Sequence, residues 1–233
     1  MFGAALRYPF RAEGDRLPID VILLGGGLHL MAAFVPVLPL VAVAGYLVRV
    51  LDHAAGTDRR AFRTDAAPPS FAGVRGLVTD GLAVFAIALA YLAPPLVLLV
   101  VTARGIDTAA VGATGPTFGV GVGFLAGSTV TVLLALAFVY PLPAALTAYA
   151  RRRRLGAAFD PDSLWPLVTD ARYLAAVVVG VFVVGLAALV AGPLNRLALG
   201  FFVVFYAETV AAALCGHAVS AIRPGDDEDG PRT

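Results

Sequence analysis

The longest stretch of the chain without a charged side chain runs from Thr108 to Ala150, 43 residues, and further such stretches recur on either side of it. Val21–Val48 is 28 residues long, Gly81–Ala103 and Tyr173–Asn195 are 23 each, and Leu197–Ile222 is broken only by Glu208. A membrane-crossing helix needs about 20 mostly apolar residues. Every stretch meets that length, and none alternates in polarity as the strands of a membrane barrel do. The pattern predicts an all-α, polytopic membrane protein. Composition agrees, since 59% of the 233 residues are hydrophobic and 14% are charged, against about 45–50% and about 25% in soluble domains. A core of this size cannot bury such a surplus.

Prolines mark where the stretches divide. Pro36 and Pro39 split the first into 17–35 and 37–53, as a tight hairpin or a sharp kink. The other spans are expected at 79–103, 118–150, 171–191 and 197–222, about six in all. Kinks are expected at Pro94–Pro95 and at Pro141 with Pro143. Residues 1–16 read as a cytoplasmic N-terminal segment, 17–222 as one helical transmembrane domain, and 223–233 as an acidic, solvated tail. The first apolar run reads as an uncleaved signal anchor. With six spans and both ends cytoplasmic, 15 arginines lie inside and only Arg104 and Arg196 outside. A single crossing over 17–53 makes the split 12 to 5. The positive-inside rule therefore favours six spans in the cell membrane.

The cations exclude several classes. All 17 basic residues are arginine, so no Schiff-base lysine and no Gly-Lys-Ser/Thr phosphate loop can exist. The single cysteine, Cys215, permits neither a redox pair nor a cysteine-based metal site within one chain. A net charge of +1 gives no reason to expect nucleic acid. No cofactor is expected. One intramembrane glutamate and three scattered histidines do not make a metal site. Ser70, Ser163 and Ser220 lack the context of a nucleophile elbow.

Few polar groups remain within the spans. Glu208 sits near the middle of the last span, where an ionised carboxylate costs at least ~2.5–3.5 kcal/mol. It must be protonated, or paired inside the bundle. His29 in the first span and His217 in the last are the other intramembrane candidates. Counting helical rise puts His29 and Glu208 at depths about 7 Å apart, within reach only if the helices tilt or stagger. His53, beside Asp52 and Arg49, reads as solvated at the interface. Gly119, Gly123 and Gly127 form a ridge for close helix packing and a possible homo-oligomer or membrane-protein partner. Arg151, Arg152, Arg153 and Arg154 follow a span directly and read as a contact for anionic membrane lipids. A weak repeat places Leu-Val-Thr-Asp at Leu77–Asp80 and again at Leu167–Asp170, where Asp80 and Asp170 read as helix N-caps.

Several of these segments carry a resemblance. Leu6–Pro9, Gly45–Leu51, Pro68–Phe71, Leu77–Gly81, Leu155–Asp160 and Phe205-Tyr206 follow one another along nearly the whole chain. In this order they resemble an archaeal family of integral membrane proteins, the domain of unknown function numbered four thousand and thirteen, found largely in halophiles and methanogens. The resemblance implies a multi-helix membrane protein, and no reaction or catalytic residue comes with it. The function expected is a non-enzymatic membrane scaffold or complex subunit. The alternative is a transporter of small solutes, ions or lipids that uses Glu208. The six-span topology has a direct test. Cysteines placed at Arg104 and Arg196 should react with an impermeant thiol reagent added outside, and protection of both positions would refute the 15-to-2 arrangement.

Overall fold

A computed structural model describes residues 2–11, 19–64, 66–111 and 118–222. The acidic tail, 223–233, lies outside the described residues. The regular elements of the described residues are all helical: α1 (Phe2–Arg7), a 3-10 turn (Tyr8–Phe10), α2 (Asp20–Ala32), α3 (Val37–Gly56), α4 (Arg59–Thr64) and α5 (Val74–Val111). There follow α6 (Phe118–Val139), α7 (Leu142–Arg152), α8 (Pro161–Val168), α9 (Ala171–Leu194) and α10 (Leu199–Ile222). Five helical stretches are long and apolar enough to cross a membrane: Val37–Gly56, Val74–Gly105, Val122–Arg152, Ala171–Leu197 and Leu199–Ile222.

The first expected span, 17–35, differs. Its described helix, α2, has 13 residues, about 20 Å at the helical rise, against a hydrocarbon layer of about 30 Å. Pro36 bounds it, because the residue before a proline is pushed out of the helical region. Pro36 itself is the N-cap of α3, and Pro39 falls in that helix's first turn, where a missing N–H removes no bond. α5 runs unbroken through Pro94 and Pro95. The stretch expected as one span over 118–150 is instead two helices, with a turn at Tyr140-Pro141 between α6 and α7.

The chain divides into two compact units, residues 1–85 with 143–233, and residues 86–142. In the first unit α10 is the central helix. It forms an antiparallel hairpin with α9, in which the Arg172 guanidinium donates to the Ala221 carbonyl and Gly180 lies against Ala211. Gly216 packs on the Leu51 carbonyl while Phe205 meets Tyr46, so α3 and α10 run in the same direction. Gly25 and Gly26 of α2 accept the rings of Phe205 and Phe202. Tyr46 stacks on Phe71 at 4.0 Å, and Tyr8, Tyr46, Phe62, Tyr173 and Phe205 are all fully buried.

α3 and the start of α5 approach closely. Gly45 lies on the Leu77 carbonyl, and Gly81 lies reciprocally on the Val41 carbonyl. The register 41 with 81, 45 with 77 makes the crossing antiparallel, and one further turn sets Arg49 beside Gly73. That crossing positions the site described next.

The N-terminal residues, expected as a cytoplasmic segment, pack into the first unit. Ala5 and Tyr8 are fully buried, and the Tyr206 hydroxyl donates to the Leu6 carbonyl at 2.8 Å. Arg11 donates to the carbonyls of Phe62 (2.7 Å), Arg63 (2.8 Å) and Ala66 (3.2 Å), closing the C-terminal end of α4. Burial raises the Tyr8 phenol above the ordinary tyrosine range, with Arg11 opposing that shift. Its ionisation therefore disfavours the folded state, and stability falls as pH rises past that range.

The second unit holds the latter part of α5 and α6. There Gly127 packs against the Thr102 side chain. The Thr131 hydroxyl folds back on the Gly127 carbonyl at 2.8 Å, which satisfies it within its own helix.

The crossing predicts a contrast among glycines. A methyl group on Gly45 or Gly81 would collide with a backbone carbonyl, whereas one on Gly185 meets nothing within 4 Å. Gly45→Ala and Gly81→Ala should each cost about 1–3 kcal/mol by overpacking. Gly185→Ala should be neutral, or stabilising by up to about 1 kcal/mol. Melting temperatures in detergent check this, and equal behaviour of the three variants would contradict the crossing.

Candidate functional site

Asp80 is the seventh residue of α5, one turn past Gly76, and therefore inside the helix. The expected N-cap role fails there, because the helix already begins at Val74. The second copy behaves differently. Asp170 is the N-cap of α9, and its carboxylate accepts from the Arg172 backbone N–H at 2.6 Å. One repeat thus yields a cap and the other a buried acid.

The Asp80 side chain is 7% exposed and holds two guanidinium groups. Arg49 of α3 approaches with Nε 3.3 Å from Oδ2, and Arg153, just past α7, donates Nη1 to Oδ1 at 2.5 Å. The Tyr149 hydroxyl, one turn before Arg153, reaches both Asp80 and Arg153. Arg49 also donates to the carbonyls of Ala72 (2.7 Å) and Gly73 (3.5 Å). A Cβ on Gly76 would come within 2.6 Å of Arg49 Nη2, so the missing side chain makes room for the guanidinium. Arg153 is held by its backbone too. Its φ is +52°, in the left-handed region, and its N–H donates to the Tyr149 carbonyl at 2.7 Å. A non-glycine residue there costs about 1–2 kcal/mol.

Beside this cluster lies an open polar cleft of about 480 Å³, between the C-terminal ends of α3 and α7. Asp52, His53, Gly56, Thr57, Arg151 and Arg153 line it. Arg152 points elsewhere, pairing with Asp160 at 2.9 Å and holding that carboxyl below its ordinary range. The Asp160 contribution is present at neutral pH and is lost only as pH falls through that depressed value. Arg154 is exposed and does not line the cleft.

The second polar contact joins His29 and Glu208. His29 Nε2 stands 3.3 Å from Glu208 Oε2, with side chains 11% and 26% exposed. α2 packs directly on α10, with Gly25 on Phe205 and Gly26 on Phe202, and the two side chains meet despite the difference in depth of about 7 Å expected from counting rise. His29 Nδ1 lies 3.1 Å from the Gly25 carbonyl. A carbonyl only accepts, so Nδ1 carries a hydrogen. A favourable contact at Nε2 then needs one further proton, on the imidazole or on the carboxyl. Oε2 is sealed from solvent and makes no hydrogen bond of good angle in this geometry.

His217 does not join them. Its ring stacks on Phe62 at 4.3 Å with 6° between planes, and Nδ1 lies 3.4 Å from Ser220 Oγ. Of the expected glycine ridge, Gly127 meets Thr102 and nothing lies within 4 Å of a Cβ on Gly123. The surroundings of Gly119 lie outside the described residues. Among the described residues no three His, Cys, Asp or Glu side chains gather in a metal-binding group. Sequence reasoning favoured a cap at Asp80 over a functional role and did not pair it with Arg49 or Arg153. The available signal was Gly45 four residues before Arg49 and Gly76 four residues before Asp80.

The Asp80 cluster makes a stability prediction. Breaking a buried ion pair costs about 3–5 kcal/mol, less where the partners are part-exposed as here, while loss of an N-cap costs about 1 kcal/mol. Asp80→Ala should lower the melting temperature in detergent clearly more than Asp170→Ala. The reverse order would contradict the pairing.

Comparison with known proteins follows the same lines. A family model described as Protein of unknown function (DUF4013) matches residues 28–195, and the chain belongs to that family. No curated protein and no solved structure matches the chain. The matched region contains Arg49, Asp80 and Arg153, together with the whole cleft.

Proposed function

We propose that this member of the family is a multi-pass protein of the cell membrane that acts as a non-enzymatic scaffold or complex subunit. The observation that carries this reading is the use of the intramembrane acid. Glu208 is committed to His29 across the contact of α2 with α10. A polar pair of this kind fixes two helices in register. The surface supports the same reading. The most apolar 18-residue windows of Val37–Gly56 and Leu199–Ile222 are 50% buried, but those of Val74–Gly105 and Val122–Arg152 are 11% and 6% buried. These two stretches thus present nearly all their apolar surface to lipid or to another membrane chain.

The proposed topology has both ends cytoplasmic. Its support lies within the first unit, where the C-terminal ends of α3, α7 and α10 meet the N-terminal ends of α5 and α9. Arg49, Arg75, Arg151 to Arg154 and Arg172 gather there, as the positive-inside rule requires of a cytoplasmic end.

Transport is the second reading, and one observation favours it: the His29–Glu208 pair is not completely enclosed, with side chains 11% and 26% exposed. Two measurements separate the readings. A scaffold should purify in mild detergent with a stable partner or as an oligomer, and a solitary monomer would sink the proposal. Proteoliposomes carrying an internal pH dye should show no proton flux that Glu208→Gln abolishes. A flux lost in that variant would select transport.

A further inference from the structure

We infer that the cleft between the C-terminal ends of α3 and α7 binds a phosphate group, carried on a lipid headgroup or free in solution. This goes beyond the scaffold reading and does not depend on it. The arginine run by itself indicates only a general attraction to anionic surfaces. The structure sorts its four members. Arg152 is taken by Asp160, Arg154 is exposed and outside the cleft lining, and Arg151 and Arg153 are left lining one concave space.

Charge and shape favour a phosphate there. Asp80 offers one negative charge to two guanidinium groups, so the buried cluster keeps an uncompensated positive charge at the cleft wall. Arg151 adds a second, and its Nη1 lies near Gly56, where a Cβ would stand 3.6 Å away. Guanidinium groups suit phosphate through paired, planar hydrogen bonds. His53 adds charge when protonated. Thr57 gives the phosphate no donor, because its one hydroxyl hydrogen is already used, donated to the His53 carbonyl at 2.7 Å. Asp52 opposes a bare anion, yet it can accept from a hydroxyl or ammonium of a headgroup. The volume, about 480 Å³, falls within the range of small-ligand sites, about 300–1,000 Å³.

Arg153 is fixed before any ligand arrives. A left-handed backbone, the Tyr149 hydroxyl and the Asp80 carboxylate together set its position. Such pre-organisation removes part of the entropic cost of binding. Strain held at a residue lining a cleft is consistent with a binding role.

The test uses the full chain purified in detergent and in nanodiscs. Retention of phosphatidylglycerol against phosphatidylcholine is read by native mass spectrometry, and inorganic phosphate binding by calorimetry. Arg151→Gln should weaken binding about tenfold with an unchanged melting temperature, whereas Arg154→Gln should leave binding unchanged. Preferential retention of phosphatidylglycerol with no phosphate binding identifies a lipid headgroup as the source. Phosphate binding with no lipid preference identifies a soluble anion. Equal losses in the two arginine variants would reduce the effect to surface charge and overturn the site. No binding of either probe by the folded protein would overturn it as well.

Discussion

A carboxylate seven residues into an apolar helix needs a counter-charge, and the way Asp80 obtains one organises an end of the first unit. Its partners come from two other elements, Arg49 on α3 and Arg153 just beyond α7. Arg49 reaches it across the close crossing of α3 with α5, and Arg153 reaches it from the end of α7. Gly45 and Gly81 allow each backbone to rest on the other's carbonyl, and Gly76 leaves room for the Arg49 guanidinium. Small residues, a buried acid and a strained arginine are thus parts of one arrangement. Removing any of them leaves a charge without a partner or a partner without space.

Much of the architecture was legible from the sequence because it depends on local rules. Stretch lengths gave the all-α class, and prolines gave real interruptions at Pro36 and Pro141. The Asp170 cap followed from residue type and position. Asp80 shows where local reading stops. Both aspartates end the same tetrapeptide, but α5 starts six residues before Asp80, while α9 starts immediately after Asp170. The difference is set upstream. Gly73, with φ +76°, makes the turn that lets α5 begin early.

The glycines and the histidine–glutamate pair fail for a related reason. A four-residue glycine repeat is visible along one helix, so the ridge at 119, 123 and 127 stood out. Gly45 and Gly81 form no such repeat, because each packs on a carbonyl of the other helix and the match lies in the register of two segments. The depth of His29 was counted as though its helix crossed upright and complete. α2 is 13 residues long and packs directly on α10, and the distance closes to 3.3 Å. Pairings between elements are properties of register, and no single segment contains them.

Lipid as the proposed solvent alters what can hold such a bundle together. Between helices immersed in hydrocarbon, apolar contact gains little, since lipid tails are as apolar as leucine. Exposed side chains such as Leu89, Leu125, Phe182 and Leu189 therefore add little to helix association and mainly match their surroundings. Specificity must come from groups that lipid cannot satisfy and from backbones that approach too closely for lipid to enter. The first unit uses both. Asp80 with two arginines, Glu208 with His29, Tyr206 on the Leu6 carbonyl and Arg11 on three carbonyls are the polar set. Gly45, Gly81 and Gly216 are the close-packed set. Nearly all of these contacts join α3, α5 or α10 to a neighbour, and α3 and α10 are the two spans whose apolar windows are half buried. The same physics makes the sparse polar residues, rather than the abundant apolar ones, the determinants of this fold.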